Sequence, residues 1–419
     1  MTYIKPEAAS NQYLDPVEAI LHLGANAAKE ENWLSVYNYL QQLPQTKSRK
    51  KQKRFVINKE QWQMTFDIAL KMLIEADFQH KWSIVKLFPL LGEDIIPNLS
   101  SLVKDDKTEA DVRWFICQIL GNFNCVAVII TLVELIDSAD DRELVAIAGK
   151  TLTKIGDGAV DALENLLAKP QHRVLAVQSL YYIRTAKTIE PLLKVAIAPE
   201  PELRAIAIQA LGSFHDSRIP PVLIKALEDQ ASNVRKEAAT ALGFRPDLRE
   251  ELGLIDCLRP LLHDFNLEVC CQSAIALCRM KHETAAIAMF EVLQAETTPI
   301  SLKLDLIKAL SWSEISPAIE YLGKALVEST GVVTQEIITV LGRTAIDELK
   351  LLAAEVLVDF WQSQNQRLEL AQHRQALASS LGELRCGCGR ETLEQLALDS
   401  DSKVKLYAAS ALRKIDAGC

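Results

Sequence analysis

Glycine and proline are scarce in this chain, 16 and 15 of 419 residues, and aromatic residues make up only 6%. Together glycine and proline are about 7% of the chain, well below average usage, which argues against collagen-like, low-complexity and turn-dense all-β architectures. Long apolar runs are missing too. The longest, such as Val126 to Val133, is far too short to span a bilayer. Period-two alternation and Asn-Gly hairpin cues are absent, so no strands are expected anywhere. The opening Met1-Thr-Tyr-Ile-Lys-Pro-Glu lacks the basic-then-apolar build of a secretory signal. Nine cysteines without such a signal read as reduced thiols in a cytoplasmic compartment, not as a disulfide framework.

An excess of base is also lacking. The 46 basic and 55 acidic residues leave a net charge of −9, whereas a protein devoted to nucleic acid is usually basic because phosphate neutralisation supplies much of its affinity. Nucleic acid is therefore disfavoured as a partner. What is abundant is apolar surface, 49% of residues, enough for an extensive core. Length alone would suggest two or three domains.

Internal repetition replaces that estimate. Pro201-Glu-Leu-Arg-Ala-Ile-Ala-Ile-Gln-Ala-Leu-Gly212, Ser232-Asn-Val-Arg-Lys-Glu-Ala-Ala-Thr-Ala-Leu-Gly243 and Ser402-Lys-Val-Lys-Leu-Tyr-Ala-Ala-Ser-Ala-Leu-Arg413 share one frame. The late leucine recurs at Leu91, Leu120, Leu152, Leu180, Leu211, Leu242, Leu277, Leu310, Leu341, Leu381 and Leu412, mostly near 31 residues apart. A fixed period of this size is the signature of a solenoid. Alanines stand four residues before the marker (Ala148, Ala176, Ala207, Ala238, Ala408) or one before it (Ala210, Ala241, Ala276, Ala309, Ala411). Those offsets put Ala and Leu on one helical stripe, where small side chains let neighbouring helices approach closely. A second helix follows each marker. In Ile219 to Glu228, Ile219, Val222, Leu223, Ala226 and Leu227 form the apolar face, with Pro220 or Pro221 in the first turn. Neither helix buries its stripe alone, so pairs stack on pairs and the array is all-α.

Two-helix repeats of about 31 residues carrying Val-Arg-x-x-Ala-x-x-Ala-Leu-Gly resemble HEAT repeats, and specifically the short variety of the cyanobacterial phycobilisome-lyase-like HEAT proteins. The resemblance covers roughly Lys81 to Ile415. It implies a right-handed α-solenoid with a concave groove lined by second helices. Val-Arg is kept at Val112-Arg113 and Val234-Arg235, becomes Leu203-Arg204, and is lost at Val269-Cys270 and Leu302-Lys303-Leu304. Any ladder of arginine contacts is thus expected to break mid-array.

Outside the repeats, residues 1–14 are expected to be disordered, residues 15–80 to form an N-terminal helical cap, and residues 81–419 to hold about eleven repeats. Asp15 caps the first helix, with Pro16 in its first turn. Trp33 to Leu43 continues the helical pattern. A longer helix pair or an exposed loop is expected around Gln362 to Arg367.

Candidate sites are few. Lys47-Ser-Arg-Lys-Lys-Gln-Lys-Arg54 places Lys47, Arg49, Lys50, Lys51, Lys53 and Arg54 in one loop, a solvated island or a dock for an acidic partner. Cys386-Gly-Cys388-Gly389 offers two soft thiolates suited to a metal or an iron–sulfur cluster, and Cys419 occupies the point equivalent to Cys388 one repeat later. Cys270, Cys271 and Cys278 read as core packing. No serine-nucleophile elbow, phosphate loop, zinc-protease helix or dinucleotide fingerprint is present, which favours a non-catalytic role. The leading expectation is a protein-binding scaffold or assembly adaptor. Among similar families, the resemblance implies an A-type iron–sulfur scaffold as partner, or lyase chemistry attaching a bilin to a phycobiliprotein. Trp114, Tyr181, Tyr182 and Arg184 are the candidate bilin contacts.

Overall fold

A computed structural model describes residues 15–47, 53–364 and 370–418. It is all-α apart from one short ribbon, and it divides into two compact units, Met1–Pro191 and Leu192–Cys419.

The first unit begins with helices Pro16–Lys29 and Trp33–Gln41. Asp15 accepts the N–H of Val17 and Pro16 stands at the first helical position, as the sequence predicts. Gln61 Nε2 donates to Asp15 Oδ2 at 2.6 Å, tying helix Lys59–Glu75 to the start of the described chain. Between these helices, strands Gln45–Lys47 and Lys53–Phe55 pair antiparallel, Gln45 opposite Phe55 and Lys47 opposite Lys53. This corrects the expectation that strands are absent; of the basic segment 47–54, residues 48–52 lie outside the described residues. Three-residue strands are too short for an alternating pattern to register in sequence.

Helices Phe78–Ile84, Ile96–Lys104, Ala110–Leu120, Val126–Ser138, Arg142–Ile155, Val160–Leu167 and Arg173–Ile183 follow. The first helices Ala110–Leu120, Arg142–Ile155 and Arg173–Ile183 pack in series. Leu120, Leu152 and Leu180 are fully buried, beside Ala148 and Ala176. Each such leucine contributes about 1.5–3 kcal/mol relative to exposure.

The second unit repeats the scheme. Its first helices are Pro201–Leu211, Ser232–Gly243, Leu267–Arg279, Ile300–Trp312, Gly331–Gly342, Ala371–Leu384 and Ser402–Gly418, each packed on the next. Leu211, Leu242, Leu277, Leu310 and Leu341 are fully buried, and Ala210, Ala241, Ala276, Ala309 and Ala411 are buried beside them. The helices come very close where the marker leucine is followed by glycine. A Cβ on Gly342 would lie 2.4 Å from Ser380 Cβ, and one on Gly382 would lie 2.6 Å from Ala411 Cβ. Second helices run Ile219–Ala226, Leu254–Leu258, Glu283–Gln294, Ser316–Glu328, Asp347–Gln364 and Arg390–Leu396. In the first of these Pro220 joins the buried face and Val222 is only half-buried, a small rotation from the predicted stripe. Of the segment Gln362 to Arg367, Gln362 to Gln364 belong to the 18-residue helix Asp347–Gln364, and residues 365–367 lie outside the described residues. Among the described residues, no helix is long and apolar enough to cross a membrane.

Candidate functional site

The surface is held in register by an arginine–aspartate ladder. Arg204 grips Asp229 with Nε and Nη2, both at 2.8 Å, and donates through Nη1 to the carbonyls of Ala198 and Pro199. Arg235 repeats the arrangement on Asp264 and on the carbonyls of Asp229 and Gln230. Arg374 does the same to Asp399. Each aspartate also accepts the N–H two residues on, from Ala231, Asn266 and Asp401. The guanidinium fork matches a carboxylate in two parallel bonds, so each rung fixes an angle as well as a distance.

The predicted gap in the ladder is present. At the position equivalent to Arg235, the thiol of Cys270 donates to the carbonyl of Asp264 at 3.2 Å, six residues back, as Arg235 does to Asp229. It hydrogen-bonds this one carbonyl, where Arg235 bonds two carbonyls and a carboxylate. The rung at Arg374 escapes sequence reading because His373 stands in the valine position. Its ring is buried and donates through Nε2 to the carbonyl of Gly331 at 2.9 Å.

The second helices of the second unit carry an uneven charge. Helices Glu283–Gln294, Ser316–Glu328 and Asp347–Gln364 pack side by side, with Gly323 directly against Val356. Their exposed positions fall at helical spacing: Glu320, Lys324 and Val327 on one, Glu348, Leu351, Glu355 and Asp359 on the next. Lys324 sits over the Tyr321 ring. Glu291 is paired with Arg259 at 2.7 Å, and Glu328 accepts from Gln294 at 3.1 Å. Glu320, Glu355 and Asp359 have no ion-pair partner among the described residues. Arg390–Leu396 extends the face with exposed Glu391 and Glu394 beside Arg390. Sequence reading missed this surface, although the signal was available in acidic residues at helical spacing, such as Glu348, Glu355 and Asp359, on a second helix.

The cysteine turn lies at Gly387–Gly389, with Cys386 half-buried and Cys388 exposed. Burial against neighbouring structure pushes both thiols above the ordinary value. Cys386 and the carboxylate of Glu355 add to the effect on Cys388. The two described thiols are short of the four donors a closed site requires, and no group of three or more His, Cys, Asp and Glu suited to a metal occurs among the described residues. Cys419 lies outside the described residues. Cys270 and Cys278 are buried as expected, while Cys271 donates to Asp305 at 3.1 Å.

Of the basic run, Arg49, Lys50 and Lys51 lie outside the described residues. The backbones of Lys47 and Lys53 pair across the ribbon, and Arg54 is exposed with its guanidinium close to Gly92. Tyr181 and Tyr182 meet edge to face at 4.9 Å, and Arg184 donates to the Tyr181 hydroxyl at 3.3 Å. Trp114 belongs to a different cluster, stacked on Trp82 with ring centroids 6.1 Å apart.

The stacked helix pairs define an α-solenoid. A family model described as HEAT repeats matches residues 96–184 and 189–264, so the chain carries HEAT repeats across both stretches. No curated protein matches its sequence. Among solved structures, a Kap121p mutant is similar at 13% identity over 97% of this chain and 52% of that one, with a TM-score of 0.56. An engineered protein is similar at 20% identity over 77% of this chain and 98% of that one, TM-score 0.39. Human deoxyhypusine hydroxylase is similar at 21% identity over 64% and 99%, TM-score 0.28. At such identities a likeness concerns fold alone.

Proposed function

We propose that the chain is a non-catalytic protein-binding scaffold, and that the second-helix face of residues 283–396 holds a partner with a basic surface. The observation that carries this reading is the row of unpaired carboxylates Glu320, Glu355 and Asp359, with exposed Val327 and Leu351 among them. Apolar contact area supplies adhesion, while a net acidic field steers a partner of opposite charge and raises its rate of encounter. Stacked helices present such a face as a continuous surface suited to an extended partner.

The test is capture from the native source with wild type and with the triple variant Glu320→Lys, Glu355→Lys, Asp359→Lys. Wild type is expected to retain a basic protein that is released as salt rises and is lost by the variant. Equal capture by both would sink the reading.

Two narrower readings sit within this one. An iron–sulfur assembly partner is supported by the neighbouring thiols of Cys386 and Cys388 beside Glu355 of the acidic face. Anaerobic co-purification that yields neither bound metal nor a cluster-carrying partner would remove it. The basic segment of Lys47, Arg49, Lys50, Lys51, Lys53 and Arg54 would serve an acidic partner, and reversing four of these bases to Glu tests it through loss of capture. The bilin alternative is disfavoured by chemistry. Trp114 is bordered by the carboxylates of Asp111, Asp141 and Glu143, which oppose the propionates of a bilin. A coloured, bilin-loaded protein on co-expression would restore that reading.

A further inference from the structure

In the first unit, an open pocket of about 390 Å³ is lined by Phe78, Asp111, Trp114, Phe115, Asp141 and Glu143, together with Ala110 and Leu144. Its construction follows from helix spacing. Phe78 and Trp82 lie one turn apart on helix Phe78–Ile84, and Trp114 and Phe115 come from helix Ala110–Leu120. Phe78 and Phe115 are 5.2 Å apart, Trp82 and Trp114 6.1 Å, and Trp114 and Phe115 5.1 Å. Phe78, Trp82, Trp114 and Phe115 thus form one connected aromatic cluster. Phe115 is fully buried as the base, while Phe78 and Trp82 remain exposed by 63% and 49%.

The rim is acidic. Asp111 accepts from the buried ammonium of Lys81 at 2.6 Å, which locks the two helices together and occupies that carboxylate. Asp141 caps helix Arg142–Ile155 by accepting from Glu143 and Leu144 N–H groups. Glu143 is exposed and has no partner among the described residues. Three carboxylates against one ammonium leave the site electronegative. The faces of the indole and phenyl rings are electronegative as well.

We infer that this pocket binds an arginine side chain from a basic segment of a partner protein. Charge complementarity selects a cation. The flat aromatic walls and the free Glu143 carboxylate favour a guanidinium over an ammonium, because guanidinium stacks on rings and pairs with carboxylate through a planar fork. The inference stands apart from the acidic second-helix face, since its residues all lie between Phe78 and Leu144.

The test uses a fluorescein-labelled peptide of alternating glycine and arginine, read by anisotropy at physiological salt. A second peptide replaces arginine by the neutral isostere citrulline. The full chain carries Glu320→Lys, Glu355→Lys and Asp359→Lys, so that the other acidic face does not contribute. Saturable binding of the arginine peptide is expected, at least ~10-fold tighter than the citrulline peptide. Glu143→Gln and Phe78→Ala, both at exposed positions lining the pocket, are expected to weaken it at least ~5-fold each. Absence of saturable binding, equal binding of the two peptides, or indifference to either substitution overturns the inference.

Discussion

Arg235 and Asp264 lock two successive repeats with a planar fork: Nε to Oδ2 at 2.7 Å and Nη2 to Oδ1 at 2.8 Å. Their side chains are 16% and 9% exposed, so water screens the pair little. Arginine stands early in one first helix, and aspartate begins the turn into the next. Asp264 simultaneously accepts the N–H of Asn266, so one carboxylate shapes the turn and fixes the helix before it.

Removing that fork is expected to cost about 2–3 kcal/mol, because a part-buried guanidinium loses charged hydrogen bonds. Asp264→Asn and Arg235→Lys both break the parallel pair, and a double-mutant cycle of the two in urea unfolding should show coupling near the single-mutant cost. Additive effects would show that the two side chains act independently.

Acid should weaken the ladder. Arg204 holds the Asp229 carboxyl below the usual value, and Arg374 does the same for Asp399. Burial raises Asp264, but Arg235 and the Asn266 N–H more than offset it and the net shift is down. A carboxylate whose folded value is lowered stabilises the fold above its unfolded value and loses that stabilisation as pH falls toward the folded one. Stability should therefore be level near neutrality and decline below about pH 4. Asp264→Asn should flatten part of that decline in thermal melts across pH 2.5 to 7; an unchanged slope would contradict the assignment.

Gly342 is expected to tolerate no larger residue. Its added Cβ would meet Ser380 Cβ at 2.4 Å and Cα at 2.6 Å, and backbone cannot move aside cheaply. Gly342→Ala should destabilise by about 1–3 kcal/mol or more through overpacking. Gly387, which has open space around its Cβ position, provides the control, and Gly387→Ala should leave the urea midpoint nearly unchanged.

Thiol reactivity should follow burial. Desolvation pushes Cys117 and Cys271 up to about 12 and Cys278 to about 11, with Asp305 adding to the shift at Cys271. At pH 8 the first two therefore stay almost entirely protonated. Iodoacetamide labelling followed by mass spectrometry should find Cys388 modified well before Cys117 and Cys278. Early modification of Cys117 would mean that its helix opens locally.

Much of the fold was legible because its signals are local. Leu242 and Ala238 lie on one stripe by spacing alone, and Asp15-Pro16 announces a helix start. The short strands at Gln45–Lys47 and Lys53–Phe55 were not legible, since three residues carry no measurable period. Nor was the rung at Arg374, where His373 disguises the repeat frame.

The sequence by itself determined a helical repeat array, its Ala–Leu packing stripe, its poverty in glycine and aromatics, and the absence of familiar catalytic motifs. Tertiary structure decided which of the sparse side chains meet. Phe78 finds Phe115 and Trp82 finds Trp114 on another helix, and Arg235 finds Asp264 across 29 residues of chain. Glu320 and Glu355 become one surface only when their helices lie side by side. Periodicity along a helix follows from backbone geometry, whereas juxtaposition between helices depends on how closely they stack. That closeness rests on single atoms, such as the missing Cβ of Gly342.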